Sequence, residues 1–496
     1  MKQIIYIVLS FCFAFCFNEA VCQQGYILQS SYGGNYGEEV AGVIPNALND
    51  LIIVGPSSSF PNTPPIGINA QFYITKISEA GNQDWGVVEG DLSELDIPYS
   101  AIKTYDNNYL AVGYASYQGS LNQIPGDIRL LKVDEAGSII YSKLIEYGRV
   151  TSEAHDICYT DDGNYMIAGA RIDSFAWKHY PLLTKIDENG DVIWAKDYKQ
   201  DTIVAIYRVR QAPDGGYFAV GQGTTYSSFL LRYTEDGEVI WWRDLRGIGL
   251  FYDGIETIYD LEVNSSGNPV LIVNGHFNGF NAFECVNQAA EFSYILEMNS
   301  NGGVVQRKIY CSTDQGPVVF NDMLITADGG LLLSLRTGIL KLNADWNTEW
   351  QLDDIFDNSN NYHIKKVGQF EDNSFYAVGE LGVGNNNTDY FIVRISQDGV
   401  NAVTTISGGK ELLLYPNPLY LNSVTAQLTL ETTLHSATPL QTEIRNLQGQ
   451  LVYSHTENAA AGMYKKTIEL NLAAGMYYLM LQSSEGRVTK KVEVVR

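Results

Sequence analysis

The sequence predicts an all-β chain, a seven-bladed β-propeller followed by a small immunoglobulin-like β-sandwich, and three observations lead there. A two-part phrase recurs seven times along most of the 496 residues, and the number of copies fixes the shape of a repeat protein. Each half of the phrase is an alternating or short apolar run bounded by Asp-Gly, Asn-Gly or Asp-Gly-Gly, the pattern of strands joined by tight turns. Near residue 407 the phrase stops, and about 85 residues of a different strand pattern follow. No stretch carries a convincing amphipathic helix period.

The first element is a leader. Lys2 precedes an apolar stretch from Ile4 to Phe17 and a small-residue site at Ala20, Val21 and Cys22, the order of a secretory signal peptide, and the stretch is short for a membrane span. Cleavage near Cys22 makes residues 1–22 the leader; Val21 fits poorly the small residue that a lipid-anchored Cys22 requires before it. No other segment could cross a bilayer. Residues 25–34, GYILQSSYGG, read as an outer fourth strand detached from its blade, which closes the ring beside the last one.

The repeats occupy the rest of residues 23–407. The first half of the phrase is an acidic turn, an aromatic or aliphatic run and a closing glycine, as in DNNYLAVG ending at Gly113, DDGNYMIAG at Gly169, PDGGYFAVG at Gly221 and EDNSFYAVG at Gly379. The second half is a strand, a turn and often a tryptophan, as in LLTKIDENGDVIW around Gly190 and FLLRYTEDGEVIW around Gly237. The turn glycines Gly81, Gly137, Gly190, Gly237, Gly302 and Gly399, with Asp345 in that place in the sixth copy, are mostly about 50–60 residues apart, which suits four short strands with loops. One such module cannot bury both its faces, so neighbours must stack, and closing the stack protects the terminal edges.

Residues 408–496 form the last element. Apolar strands such as TAQLTLE, QTEIRNLQGQLVYS, KKTIELNL and GMYYLMLQ alternate with turn signals at Gln448-Gly449 and Ser484-Glu485-Gly486, as in a small sandwich. The set formed by Tyr415, Pro416, Asn417 and Pro418 at its start, IRNLQGQLVYS in its middle, and LAAGMYYLMLQSSEGRVTKKVEVVR at its end resembles the C-terminal sorting domain of proteins exported by the bacterial type IX secretion system. Gly475, Tyr477, Lys490 and Lys491 fall as in that family's pattern, and the resemblance covers about one sixth of the chain. It implies a two-step journey: the leader directs export to the periplasm, and the tail is read by the outer-membrane translocon. In that family a sortase-like peptidase commonly removes the tail, and the cargo is attached to surface lipopolysaccharide or released. DGGYFAVG and KIDENGDVIW also look like the repeat arrays that type IX cargo often carries, a likeness of structure that brings no activity with it.

Charge narrows the partners. The formal net charge is −25; residues from Lys410 onward hold eight basic and seven acidic side chains and the leader one of each, leaving the repeats with 23 basic against 49 acidic, a balance of −26. That balance argues strongly against nucleic acid or anionic lipid as partners. Cys12, Cys16 and Cys22 go with the leader. Cys285 and Cys311 both belong to the fifth repeat and are candidates for a disulfide in an oxidising compartment, whereas Cys158 reads as a buried free thiol.

The chain offers little chemistry. The six histidines are scattered, no HExxH, GxSxG, Walker loop or strand-to-helix GxGxxG occurs, and DENGD at 187–191 lacks the spacing and terminal glutamate of a calcium loop. No catalytic residue, metal site or cofactor is expected. Aligning the repeats on their acidic turns instead places Ser100, Asp156, Arg208, Asp260, Asp322 and Lys366 on the innermost strands near one mouth of the channel, preceded by Tyr99, His155, Tyr207, Tyr259, Asn321 and Lys365. A ring of mixed charge and aromatic groups there is the candidate ligand site, with Asp156, Arg208, Asp260, Asp322, Lys366, His155, Tyr207 and Tyr259 as its residues. The expectation is a secreted or surface-displayed, non-catalytic binding, adhesion or envelope protein, with a glycan or surface protein as partner. The alternative is an extracellular polysaccharide hydrolase or lyase using channel-mouth carboxylates, Asp260 and Asp322 among them.

Overall fold

The structure is a computed structural model that describes residues 29–32, 38–58, 70–79, 81–90, 95–116, 126–147, 150–173, 178–198, 202–224, 227–245, 255–276, 291–311, 318–352, 362–384, 387–395, 397, 413–415, 419–420, 426–434, 437–446, 451–473, 475–483 and 486–495. The leader at 1–22, Cys285, Pro416, Asn417 and Pro418 lie outside these residues, and only the backbone of Cys311, Tyr415, Lys490 and Lys491 is described. The expected disulfide and the Pro416–Pro418 part of the sorting motif therefore fall outside them.

Seven antiparallel four-stranded sheets follow one another along the chain. Blade 1 comprises Gly42–Pro45, Leu51–Ser57, Gln71–Ile77 and Gln83–Glu89. Blade 2 comprises Asp96–Lys103, Tyr109–Ser116, Gly126–Val133 and Ile139–Ile145. Blade 3 is built of Thr151–Tyr159, Tyr165–Asp173, Lys178–Ile186 and Val192–Asp197, and blade 4 of Ile203–Gln211, Tyr217–Gly223, Ser228–Tyr233 and Val239–Asp244. Blade 5 is built of Ile255–Val263, Pro269–His276, Glu291–Met298 and Val304–Cys311, and blade 6 of Phe320–Ile325, Leu331–Leu335, Ile339–Leu342 and Thr348–Leu352. Blade 7 takes Tyr362–Gln369, Phe375–Gly384 and Asn387–Ile395, and its outer strand is Gln29–Tyr32, paired antiparallel with Asn387–Ile395.

The ring closes through its first strands. Each innermost strand lies against the innermost strand of the next blade, and Tyr362–Gln369 of blade 7 meets Gly42–Pro45 of blade 1. Seven apolar clusters fill the seven interfaces, each drawn from two neighbouring sheets. At the seam, Leu51, Ile53 and Tyr73 of blade 1 pack with Tyr376, Val378 and Ile392 of blade 7. Each fully buried aliphatic or aromatic side chain is worth about 1.5–3 kcal/mol, so a sheet separated from its neighbours would lose most of what holds it.

The repeated phrase is spent on these interfaces. The turn glycines Gly81, Gly137, Gly190, Gly237 and Gly302 adopt φ of 75–83°, which closes a type I turn with its extra left-handed residue. In the sixth copy that place belongs to Trp346, at φ 61°, and not to Asp345 as the sequence alignment has it. The Trp346 amide donates to the Asn343 carbonyl at 2.9 Å, as the Gly190 amide does to that of Asp187. The tryptophan that closes the phrase reaches the following blade: Trp85 Nε1 donates to the Glu135 carbonyl at 3.1 Å and Trp241 Nε1 to that of Ser300 at 3.1 Å. A Cβ on Gly137 would stand 2.7 Å from the Trp85 ring, so glycine there also makes room for the staple.

The acidic turns hold buried cations. Lys76, Lys132, Lys185, Arg232 and Lys341, each on the third strand of its blade, pair with Asp50, Asp106, Asp162, Asp214 and Asp328 of the turn between the first two strands. Blade 5 reverses the pattern. Glu297 takes the cation's place and accepts from Asn264 Nδ2 and Asn268 Nδ2, both at 2.8 Å.

The last unit is a pair of sheets. Leu413–Tyr415, Ala426–Leu434 and Gly462–Leu470 form one, and Leu419–Tyr420, Gly486–Val495, Gly475–Ser483, Thr438–Asn446 and Leu451–Ala459, in that spatial order, the other. Leu428, Leu430 and Ile468 of the first share one core with Ile444, Leu479 and Val492 of the second. Tyr477 is buried there, and its hydroxyl donates to the Ala473 carbonyl at 3.0 Å.

Candidate functional site

The innermost strands of blades 2 to 7 share one irregularity that sets the site. The register shifts across a single residue in each: between Pro98 and Ser100, Ala154 and Asp156, Ile206 and Arg208, Ile258 and Asp260, Phe320 and Asp322, and Ile364 and Lys366. A β-bulge leaves one residue out of the ladder and re-aims its side chain. The residues left out are Tyr99, His155, Tyr207, Tyr259, Asn321 and Lys365. The closing glycine of the phrase lies opposite four of these bulges. A Cβ on Gly169 would stand 1.9 Å from the Glu153 carbonyl oxygen, and one on Gly113 would stand 2.0 Å from that of Ile97.

The residues that follow the bulges latch blade to blade. Asp156 Oδ2 accepts from the Val209 amide of blade 4 at 3.0 Å and from Arg210 Nη1 at 2.7 Å, while Oδ1 accepts from the Ser100 hydroxyl of blade 2 at 2.9 Å. Asp260 accepts from the Met323 amide of blade 6 at 3.1 Å and from Arg208 Nε at 3.3 Å. Asp322 accepts from the Val367 amide of blade 7 at 3.0 Å and from Lys366 Nζ at 2.7 Å. All three carboxylates are buried. Burial pushes the Asp156 carboxyl up, but Arg210, Arg208 and the Val209 amide outweigh it and hold the group below the usual range. At Asp322 burial wins, and the carboxyl is raised despite Lys366.

The bulged residues make a second arrangement. The rings of Tyr99, His155 and Tyr207, from three successive blades, run in contact, with centroids 5.4 Å and 4.8 Å apart and planes inclined by 54° and 55°. Tyr259 of the next blade is 40% exposed. His155 Nε2 lies 3.1 Å from Glu153 Oε1, and the Tyr207 hydroxyl donates to Gln222 Oε1 at 3.0 Å. Burial, with Glu153 and Glu39 adding, pushes the Tyr99 phenol up to about 12. On the other side Asn321 Nδ2 donates to the Ile364 carbonyl at 2.8 Å, and Lys365 pairs with Glu380 at 3.1 Å. The structure thus separates the candidate residues into a latch, Asp156, Arg208, Asp260, Asp322 and Lys366, and an aromatic arc, His155 and Tyr207 with Tyr259 on the adjacent strand.

Sequence reasoning missed Arg210, Glu262 and Glu153. Arg210 bridges Asp156 and Glu262, with Nη2 3.0 Å from Glu262 Oε1 and 4.0 Å from Asp260 Oδ1. Burial, reinforced by Asp260 and Asp156 against the pull of Arg210, pushes the Glu262 carboxyl up to about 7. Each of the three stands two residues along a strand from a residue already singled out, the spacing that returns a side chain to the same face. That period was the available signal.

The turn at 187–191 is a hairpin turn whose carboxylate serves the backbone. Asp187 Oδ1 accepts from the amides of Asn189 and Asp191, both at 2.9 Å. Among the described residues no cluster of three or more His, Cys, Asp or Glu is arranged to hold a metal ion, and no helix is long and apolar enough to cross a membrane.

Comparison with known proteins identifies the tail. Residues 413–495 match the family described as Secretion system C-terminal sorting domain. They mark a type IX sorting tail, so the chain is a β-propeller protein sorted for the cell surface or secretion. No curated protein gives a significant match. Among solved structures, Sqt1 from Chaetomium thermophilum is 10% identical, with 76% of this chain and 87% of that one covered and a TM-score of 0.44. An α-L-arabinofuranosidase of Fusarium graminearum is 9% identical, with 60% and 92% covered and a TM-score of 0.43. A Bacteroides caccae protein of unknown function is 12% identical, with 58% and 92% covered and a TM-score of 0.35.

Proposed function

We propose that the protein is a non-catalytic binding component of the cell surface or secretome, its propeller at 23–407 delivered by the leader at 1–22 and the sorting unit at 408–496. One observation carries the reading: each of these buried carboxylates is tied to a backbone amide of the next blade and to a basic side chain, from the next blade for Asp156 and Asp322 and from the preceding blade for Asp260, whereas the bulged rings of Tyr99, His155 and Tyr207 run in contact across three blades. A glycosidase pair needs one carboxyl to deliver a proton and a second to attack or to activate water across the scissile bond. Asp260 and Asp322 spend their oxygens on Met323, Arg208, Val367 and Lys366 instead.

The sorting tail supplies the remaining partners, the outer-membrane translocon and a sortase-like peptidase that removes the tail before the cargo is anchored or released. A glycan array and a pull-down from envelope extract with the leaderless chain, run beside a polysaccharide hydrolysis assay, test this reading. Capture without product formation is expected; sugar release abolished by Asp260→Asn and Asp322→Asn would replace it with the hydrolase alternative. Deleting 408–496 is expected to leave the propeller in the periplasm, and its appearance in the medium would remove the export role.

A further inference from the structure

We infer that the aromatic arc on blades 2 to 4 is a site for a cationic group, an alkylated ammonium or the side-chain ammonium of a basic peptide. The inference deepens the binding role proposed above and rests on it. Three features converge. Tyr99, His155 and Tyr207 are adjacent rings in contact across three blades, with planes inclined by 54° and 55° from one to the next, so they do not make the flat platform on which a sugar ring stacks. Ring faces are electron-rich, and a desolvated cation held over them gains about 2 kcal/mol or more.

The second feature is local charge. Glu153 stands beside His155, and its field, after burial, raises the phenols of Tyr99, Tyr207 and Tyr114 together; Glu39 acts on Tyr99 as well. The basic groups on the neighbouring channel strands are already matched: Arg208 by Asp260, Arg210 by Asp156 and Glu262, Lys365 by Glu380 and Lys366 by Asp322. The third feature is the whole chain, whose net charge of −25 draws cations toward the ring and repels acidic glycans.

The test titrates the leaderless full chain, followed by tyrosine fluorescence and calorimetry, with tetramethylammonium chloride, a lysine-rich peptide, its acetyl-lysine counterpart and a neutral oligosaccharide. Binding of tetramethylammonium or the lysine peptide, with at least tenfold weaker binding of the acetylated peptide, is expected. Glu153→Gln and Tyr207→Leu should each weaken it about tenfold or more, while Tyr207→Phe, which keeps the ring face, should change it less than threefold. Far-UV circular dichroism and the urea midpoint identify a variant that fails to fold, and Tyr207→Phe gives a comparison that keeps the packing. Tetramethylammonium alone would assign the site to small ligands; the peptide binding too would assign it to protein side chains. Equal binding of the acetylated peptide, or of the neutral sugar, overturns the cation inference and leaves the binding role standing. Binding by none of the four while the array and pull-down succeed overturns the inference, and failure of all of them overturns both.

Discussion

Glu297 shows how one residue records the constraint on a whole blade. Six of the seven third strands carry a lysine or arginine at that place, Lys76, Lys132, Lys185, Arg232, Lys341 and Arg394, and blade 5 carries an acid facing Asn264, Asn268 and Gln306. A buried charge needs donors or acceptors of the opposite kind, and the turn supplies whichever the strand requires. Glu297→Lys should therefore cost about 1–3 kcal/mol, read from the urea midpoint. Adding Ser266→Asp, the acid that blades 2, 3, 4, 6 and 7 place two residues into the turn, should restore most of the loss; an unchanged double variant would show that the pair is not transferable. Glu262 makes a pH prediction. Its carboxyl is raised from the ordinary 4.5 to about 7, so the folded chain holds this proton more tightly than the unfolded chain. The associated stability is full below about pH 4.5 and is lost as pH rises through 7. Glu262→Gln should remove that part of the decline, and identical slopes for both chains between pH 4.5 and 7 would refute it.

At the scale of elements, the closing glycine, the bulge and the channel ring are one device. In blades 2, 3, 4 and 7 a glycine faces the residue before the bulge, and in blade 3 the Glu153 carbonyl occupies the space a side chain would need. Gly169→Val should cost about 1–3 kcal/mol by overpacking, and it should loosen His155 between Tyr99 and Tyr207, seen as a change in tyrosine fluorescence. A stable variant with unaltered fluorescence would show that the inner strand yields without moving the ring. The sequence already displayed the seven copies, the detached strand at 25–34 and the alignment that put the six bulged residues at one level, because periodicity and turn glycines are local signals. Partner choice was not legible. Asp156 finds Val209 and Asp260 finds Met323 across gaps of 53 and 63 residues, and nothing local marks those pairs. Trp346 was misplaced by one residue because a bulky side chain at positive φ is an outlier that no propensity anticipates.

At the scale of the molecule, the seam between blades 7 and 1 is the one interface that chain order does not enforce. Every other interface joins sheets consecutive in sequence, but here residues more than 300 positions apart must meet. The Glu38 amide donates to the Thr388 carbonyl at 3.1 Å, the Val40 amide to Glu380 Oε1 at 3.0 Å and Arg394 Nη1 to the Asn49 carbonyl at 2.6 Å. Gln29–Tyr32 adds the fourth strand of blade 7 from the other end of the repeat region. Closing so long a loop is entropically costly, though the cost grows only slowly with length, and the seam core of Leu51, Ile53, Tyr73, Tyr376 and Ile392 has to exceed it. Deleting residues 23–37 leaves that core in place but exposes the edge of Asn387–Ile395, whose unpaired amides and carbonyls invite another chain. The deleted protein should show a lower thermal midpoint and concentration-dependent association by light scattering, with its circular dichroism still that of a β protein. A monomer with an unchanged midpoint would mean that the seam is held by the inner strands alone and that the borrowed strand contributes nothing to closure.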